Sequence, residues 1–154
     1  MIALAVLLCG CGSYTKADFT ARANAICAST VRKVRLIAPP DSGDSAAQKL
    51  RGLAGYLADA LPFVRAESGS LRALRRPSEN ASERAALGRY LRALARAVGE
   101  YTDLAAVAKR GDSGGVASAE AALRVSPVGA DAATYGLRSC ATPGATVGAG
   151  ASAG

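Results

Sequence analysis

Apolar residues recur along most of this chain at intervals of three, four and seven, and that spacing constrains its fold more than any motif. Leu87, Leu91, Leu94, Val98, Ala105 and Ala108 fall on one helical stripe, flanked by Tyr90 and Tyr101. Leu50, Leu53, Leu57, Val64 and Leu71 form a second stripe of bundle type. Phe19, Ala23, Ile26, Cys27, Thr30, Val34 and Ile37 form a third, with Arg22, Arg32, Lys33 and Arg35 largely off it. Composition agrees: half of the residues are hydrophobic but only 5% are aromatic, with no Trp and two Phe. The apolar mass is therefore mostly Ala, Leu and Val, and Ala and Leu are strong helix formers.

Local signals punctuate the stripes. Thr15, with Asp18 three residues on, predicts the start of the first helix, and Pro39-Pro40 its end. The second segment runs to about Leu74, weakened by Gly52, Gly55 and Gly69, with a kink expected at Pro62. Pro77-Ser78 marks the next start, with Glu79 and Glu83 in the first turns, and Lys109-Arg110-Gly111 marks its end. A fourth segment covers Val116 to Leu123, is interrupted at Pro127 and Gly129, and resumes from Ala130 to Cys140. Residues 141–154 are Ala, Gly, Thr, Ser, one Val and one Pro, too little to bury, and are expected to be disordered. The expectation is an all-α domain over residues 16–140, an up-down-up-down four-helix bundle.

The first residues read differently. Ile2 to Leu8 is a seven-residue uncharged apolar run, suited to the core of a signal peptide and far short of the ~20 residues of a membrane span. It leads into Leu8-Cys9-Gly10-Cys11-Gly12-Ser13, which resembles the bacterial lipobox. The resemblance implies that residues 1–10 are a cleaved signal peptide, that Cys11 becomes the lipidated first residue, and that residues 11–15 are its linker. The domain would then be extracytoplasmic and anchored to the cell membrane by lipid. A plain secretory leader, or an apolar N-terminus on a cytosolic chain, are the other readings. In style the whole chain resembles the small exported lipoproteins of GC-rich bacteria, a likeness that implies location rather than activity.

With Cys9 removed and Cys11 acylated, Cys27 and Cys140 remain, and an even remainder in an exported chain reads as one disulfide. It would join the first helical segment to the last. No CxxC pair and no His exist, so neither a zinc site nor a redox motif is expected, and no cofactor is implied.

The net charge of +7 includes fifteen Arg among nineteen basic residues. Nucleic acid is not the expected partner, because no RNA- or DNA-binding signature and no basic run with interleaved aromatics occurs. Arg72, Arg75 and Arg76 precede the turn at Pro77, and Arg84, Arg89, Arg92 and Arg96 follow it; spacings of three and four put Arg89, Arg92 and Arg96 on one flank. Such a patch suits anionic lipid headgroups or an acidic cell-wall polymer, and is otherwise the solvated side of an Ala-rich helix.

Catalytic signals are weak. Asp59, beside Pro62 and near Tyr56, could line a pocket if buried, but as an Asp off the stripe it is expected in solvent. Gly111-Asp112-Ser113-Gly114-Gly115 matches the hydrolase nucleophile elbow by letter and resembles the nucleophile segment of chymotrypsin-like proteases. Both need a His base that this chain lacks, so the segment reads as an interhelix turn. The expectation is a non-enzymatic binding or interaction module of the cell envelope. A carrier of a small apolar ligand between helices is the alternative, and an enzyme of unfamiliar type the remotest.

Overall fold

A computed structural model describes residues 13–40 and 45–141. The leader with Cys9 and Cys11, and the segment after Ala141, lie outside the described residues. Within them the chain is helical and contains no β-strand. Five α-helices follow one another: α1 (Lys16–Val34), α2 (Ala46–Ala73), α3 (Ala81–Lys109), α4 (Ser113–Arg124) and α5 (Val128–Tyr135), then a 3-10 turn at Arg138–Cys140.

The helices start where short polar side chains can satisfy the first free N–H groups. Thr15 with Asp18, Ser45 with Gln48 and Asn80 with Glu83 are reciprocal capping boxes for α1, α2 and α3. Asp112 caps α4 through the N–H of Gly115 at 2.8 Å. The Asn80 box places the start of α3 beyond the expected Pro77-Ser78, so Glu79 lies ahead of the helix and is free to pair elsewhere. Gly111 and Gly136 adopt φ of 73° and 98°, the left-handed geometry that ends α3 and α5. At each end the following N–H reaches back to the last turn, Asp112 to the Val107 carbonyl at 3.1 Å and Leu137 to that of Ala132 at 2.8 Å.

α2 continues through Pro62 rather than ending there. Pro62 cannot donate to the carbonyl of Ala58, and both residues are exposed, so the unpartnered carbonyl lies on the wetted side of the helix. The fourth segment is broken at Pro127 into α4 and α5, as its sequence suggests, but Gly129 lies inside α5, the helix ends at Tyr135, and Cys140 sits on the 3-10 turn rather than a helix.

The core is two apolar clusters. One gathers Phe19, Ala23 and Cys27 of α1, Leu71 of α2, the first half of α3 from Leu87 to Ala97, and Val128, Ala132, Tyr135, Leu137 and Cys140. The other gathers Val34, the α2 residues Leu57, Ala60, Leu61 and Val64, the α3 residues Tyr101, Leu104 and Ala108, and Val116 of α4. Tyr90 and Tyr101, expected to flank the Leu87–Ala108 stripe, are themselves buried. Cys27 and Cys140 form a disulfide with Cα atoms 5.3 Å apart, across 113 positions of sequence. Beside it Asn24 accepts the Ser139 N–H at 2.9 Å, a second tie between α1 and the last turn.

Candidate functional site

The arginines of the second hairpin divide into two groups. Arg89, Arg92 and Arg96 are exposed along α3 and, with Ala93, Pro127 and Asp131, line a shallow cleft of about 150 Å³. Asp131, in the first turn of α5, faces Arg89 at 4.0 Å. Two of the three guanidinium groups therefore have no carboxylate partner among the described residues. An exposed pair at this distance contributes only a few tenths of a kcal/mol at most, so the cleft keeps an unbalanced positive charge toward solvent.

Arg72, Arg75 and Arg76 belong elsewhere. Tyr14, just ahead of α1, accepts the Ser78 N–H through its backbone carbonyl at 3.1 Å. This pins the entering chain to the connection between α2 and α3. The guanidinium carbons of Arg22 and Arg75 stand 5.4 and 5.6 Å from the Tyr14 ring centroid, within cation–π range. Arg76 is near enough to Tyr135 for its charge to oppose the other influences on that phenol.

A polar group beneath this clamp explains the position of Glu79. The Tyr135 hydroxyl donates to Glu79, and Lys16 pairs with Glu83 at 3.2 Å while lying 4.8 Å from the Tyr135 ring centroid. The pKa of Tyr135 is driven upward, first by burial and then by its bond to Glu79 and the charges of Glu79 and Glu83. Glu83 is held below the usual carboxylate range, chiefly by its bond to Lys16 and then by the Asn80 N–H. Tyr135 is thus a proton-retaining structural donor, with Phe19 edge-on to its ring at 5.8 Å.

The chemistry that sequence reasoning missed lies in the core. Thr30, Glu67 and Ser68 are buried, Glu67 only 4% exposed, and in sequence they fall between the residues of the two apolar clusters on α1 and α2. One Glu67 oxygen and the Tyr90 hydroxyl have no hydrogen-bond partner. Burial pushes the Glu67 carboxyl up to about 7, against the stabilising bond from Thr30. Tyr90 is shifted upward by burial and by the Glu67 charge. A signal was present: Leu53, Ala60, Glu67 and Leu74 repeat every seven residues beside the Leu50–Leu71 stripe, so Glu67 occupies a core register.

The other candidates resolve plainly. Asp59 and Pro62 are exposed and Tyr56 is half-buried, so no carboxylate is sequestered at the proline. Burial raises the Tyr56 phenol. In the Gly111–Gly115 segment, Gly111 and Asp112 form the turn and cap between α3 and α4, and Ser113, Gly114 and Gly115 are the first residues of α4. Among the described residues no group of three or more Cys, Asp or Glu side chains is placed to hold a metal ion, and no helix is long and apolar enough to cross a membrane. Comparison of the chain with protein-family models, with curated proteins and with solved structures finds no match.

Proposed function

We propose that this protein is a lipid-anchored, extracytoplasmic interaction module of the cell envelope: leader removed at Cys11, the bundle passing up and down with α4 and α5 as its broken fourth strand of helix. The observation that carries the reading is the buried Cys27–Cys140 pair at disulfide geometry. Disulfides persist in oxidising compartments and are rare in the cytosol, which agrees with the apolar leader and the lipobox-like Leu8-Cys9-Gly10-Cys11. The module is read as non-enzymatic. Its contact surface for a soluble partner is the Arg89, Arg92 and Arg96 cleft, whose exposed and incompletely paired cations suit an anionic envelope polymer.

Intact and non-reducing mass spectrometry of protein from an exporting host tests this. A mature chain beginning at a diacylated Cys11, with Cys27 linked to Cys140, supports the proposal. A chain that retains Met1 with all four thiols free removes it, and makes nucleic acid the first partner to test against the +7 charge.

A further inference from the structure

The structure brings the start of α1, the end of α2 and the start of α3 to one end of the bundle, joined by Tyr14. We infer that this end is the face that docks on an anionic lipid leaflet, so that the molecule stands on its Tyr14 end with the far end of α3 away from the membrane. The inference deepens the lipid-anchor reading and rests on it for the tether, though its electrostatic part can be measured without the lipid.

Three observations carry it. The first is reach. Tyr14 lies three positions after Cys11, and three extended residues span at most about 10 Å. Tyr14 is not a loose linker, because its carbonyl accepts from Ser78 and its ring is covered by Arg22 and Arg75. An acyl chain on Cys11 would therefore hold this end, rather than any other part of the bundle, at headgroup depth.

The second is charge. Lys16, Arg22, Arg72, Arg75 and Arg76 outnumber the carboxylates Asp18, Glu79 and Glu83 at this end. Each of the three acids is already engaged: Asp18 in the Thr15 capping box, Glu79 by Tyr135, and Glu83 by Lys16 and Asn80. The four arginines are exposed and pair with no carboxylate among the described residues.

The third is separation. Arg89 lies eight residues into α3 from Ala81, about 12 Å along the axis at 1.5 Å per residue. That exceeds the Debye length of about 8 Å at physiological salt. The α3 cleft thus lies more than a Debye length along the axis from the start of α3, on the flank of the bundle, and stays available for another contact.

The chain has no Trp, so a single introduced indole reports depth without background. Ser78→Trp and Ser113→Trp place it at an exposed position at the Tyr14 end and at the far end of α3. The full chain from an exporting host is reconstituted into phosphatidylcholine vesicles with or without phosphatidylglycerol, using brominated acyl chains as quencher. The expected result is quenching at position 78 but not at 113. It should depend on phosphatidylglycerol and be relieved by high salt or by combined Arg72→Gln, Arg75→Gln and Arg76→Gln. Combined Arg89→Gln, Arg92→Gln and Arg96→Gln should leave it unchanged. Equal quenching at the two positions, indifference to phosphatidylglycerol, or relief by the α3 triple variant overturns the inference. The Cys11→Ser chain separates this from failure of the anchor. In flotation it should bind phosphatidylglycerol vesicles at least fivefold better than neutral ones, as about 1 kcal/mol per surface cation implies. An unmodified Cys11 in the parent chain removes the lipoprotein reading alone. Binding of the Cys11→Ser chain to an anionic wall polymer but not to anionic vesicles removes the docking face.

Discussion

The Glu67 carboxyl of α2 and the Tyr90 hydroxyl of α3 share the closed interior of the bundle, close enough for the charge of one to raise the pKa of the other. Each carries an oxygen without a hydrogen-bond partner, so the pair makes stability depend on pH. Folding raises the Glu67 pKa from 4.5 to about 7. The folded state therefore keeps a proton that the unfolded chain releases. Stability is highest below about pH 4.5 as far as this group is concerned, and declines as pH rises to about 7. The shift corresponds to about 3 kcal/mol. Asp18, exposed, and Glu83, half-buried beside Lys16, are both lowered and act in the opposite sense at lower pH. Denaturant unfolding at pH 5 and pH 8 should show the decline, and Glu67→Gln should flatten it and raise stability at pH 8. A wild-type curve that is flat or rises over this interval contradicts the assignment.

The disulfide constrains most of the unfolded chain. Cys27 and Cys140 are 113 positions apart, and constraint of an unfolded loop that long stabilises the native state by about 4 to 5 kcal/mol in the chain-entropy description. Combined Cys27→Ala and Cys140→Ala should cost an amount of that order in denaturant unfolding. Loss should be most visible in faster hydrogen exchange at the Leu137 N–H, which closes α5. The Asn24 contact to Ser139 alone is too small to hold that end.

Much of this architecture was legible before the structure. The Thr15–Asp18 start and the pairing of the two well-separated cysteines appear as read, because each depends on local spacing or on simple cysteine arithmetic. The Leu87–Ala108 stripe appears in part, with Tyr90, Ala97, Tyr101 and Leu104 buried and Val98 and Ala105 only half-buried. What was not legible depended on tertiary placement. The core register of Glu67 was readable from the Leu53–Ala60–Glu67–Leu74 spacing, but a carboxylate is unexpected there, and its enclosure shows only once Thr30 of α1 and Tyr90 of α3 are packed beside it. The arginines before and after Pro77 looked like one patch in sequence. Tyr14 claims Arg75, while α5, arriving from a distant part of the chain, places Asp131 opposite Arg89. The break at Pro127 was readable from the proline itself, whereas the end of α5 at the left-handed Gly136, ahead of Cys140, was not set by spacing.

Glycine substitutions separate backbone requirement from helix propensity. Gly136 has φ 98°, and Ala there should destabilise by about 1 kcal/mol because a Cβ disfavours that geometry. Gly55 and Gly69 lie inside α2, and an added Cβ at either would meet nothing within 4 Å. Gly55→Ala and Gly69→Ala should each stabilise by about 0.5–1 kcal/mol. Thermal melts of the three variants at one pH test the opposite signs directly.

The α3 cleft offers the sharpest test of the contact surface, because its charge balance turns on one residue. Asp131 is the carboxylate facing Arg89, 4.0 Å away, and the Arg89 side chain is half exposed. Removing that charge should therefore alter binding much more than stability. Asp131→Asn leaves Arg89, Arg92 and Arg96 without a counter-charge. It should strengthen binding of a polyphosphate probe about two- to fivefold at low salt, the range expected for one added unit of charge near the surface. Arg92→Gln should weaken it by a similar factor. Both changes should shrink as ionic strength rises, since the Debye length falls to about 3 Å at 1 M salt. If neither substitution alters polyphosphate binding while the melting temperatures stay equal, the arginines of α3 are a solvated helix flank, and the contact surface of the module must be sought elsewhere.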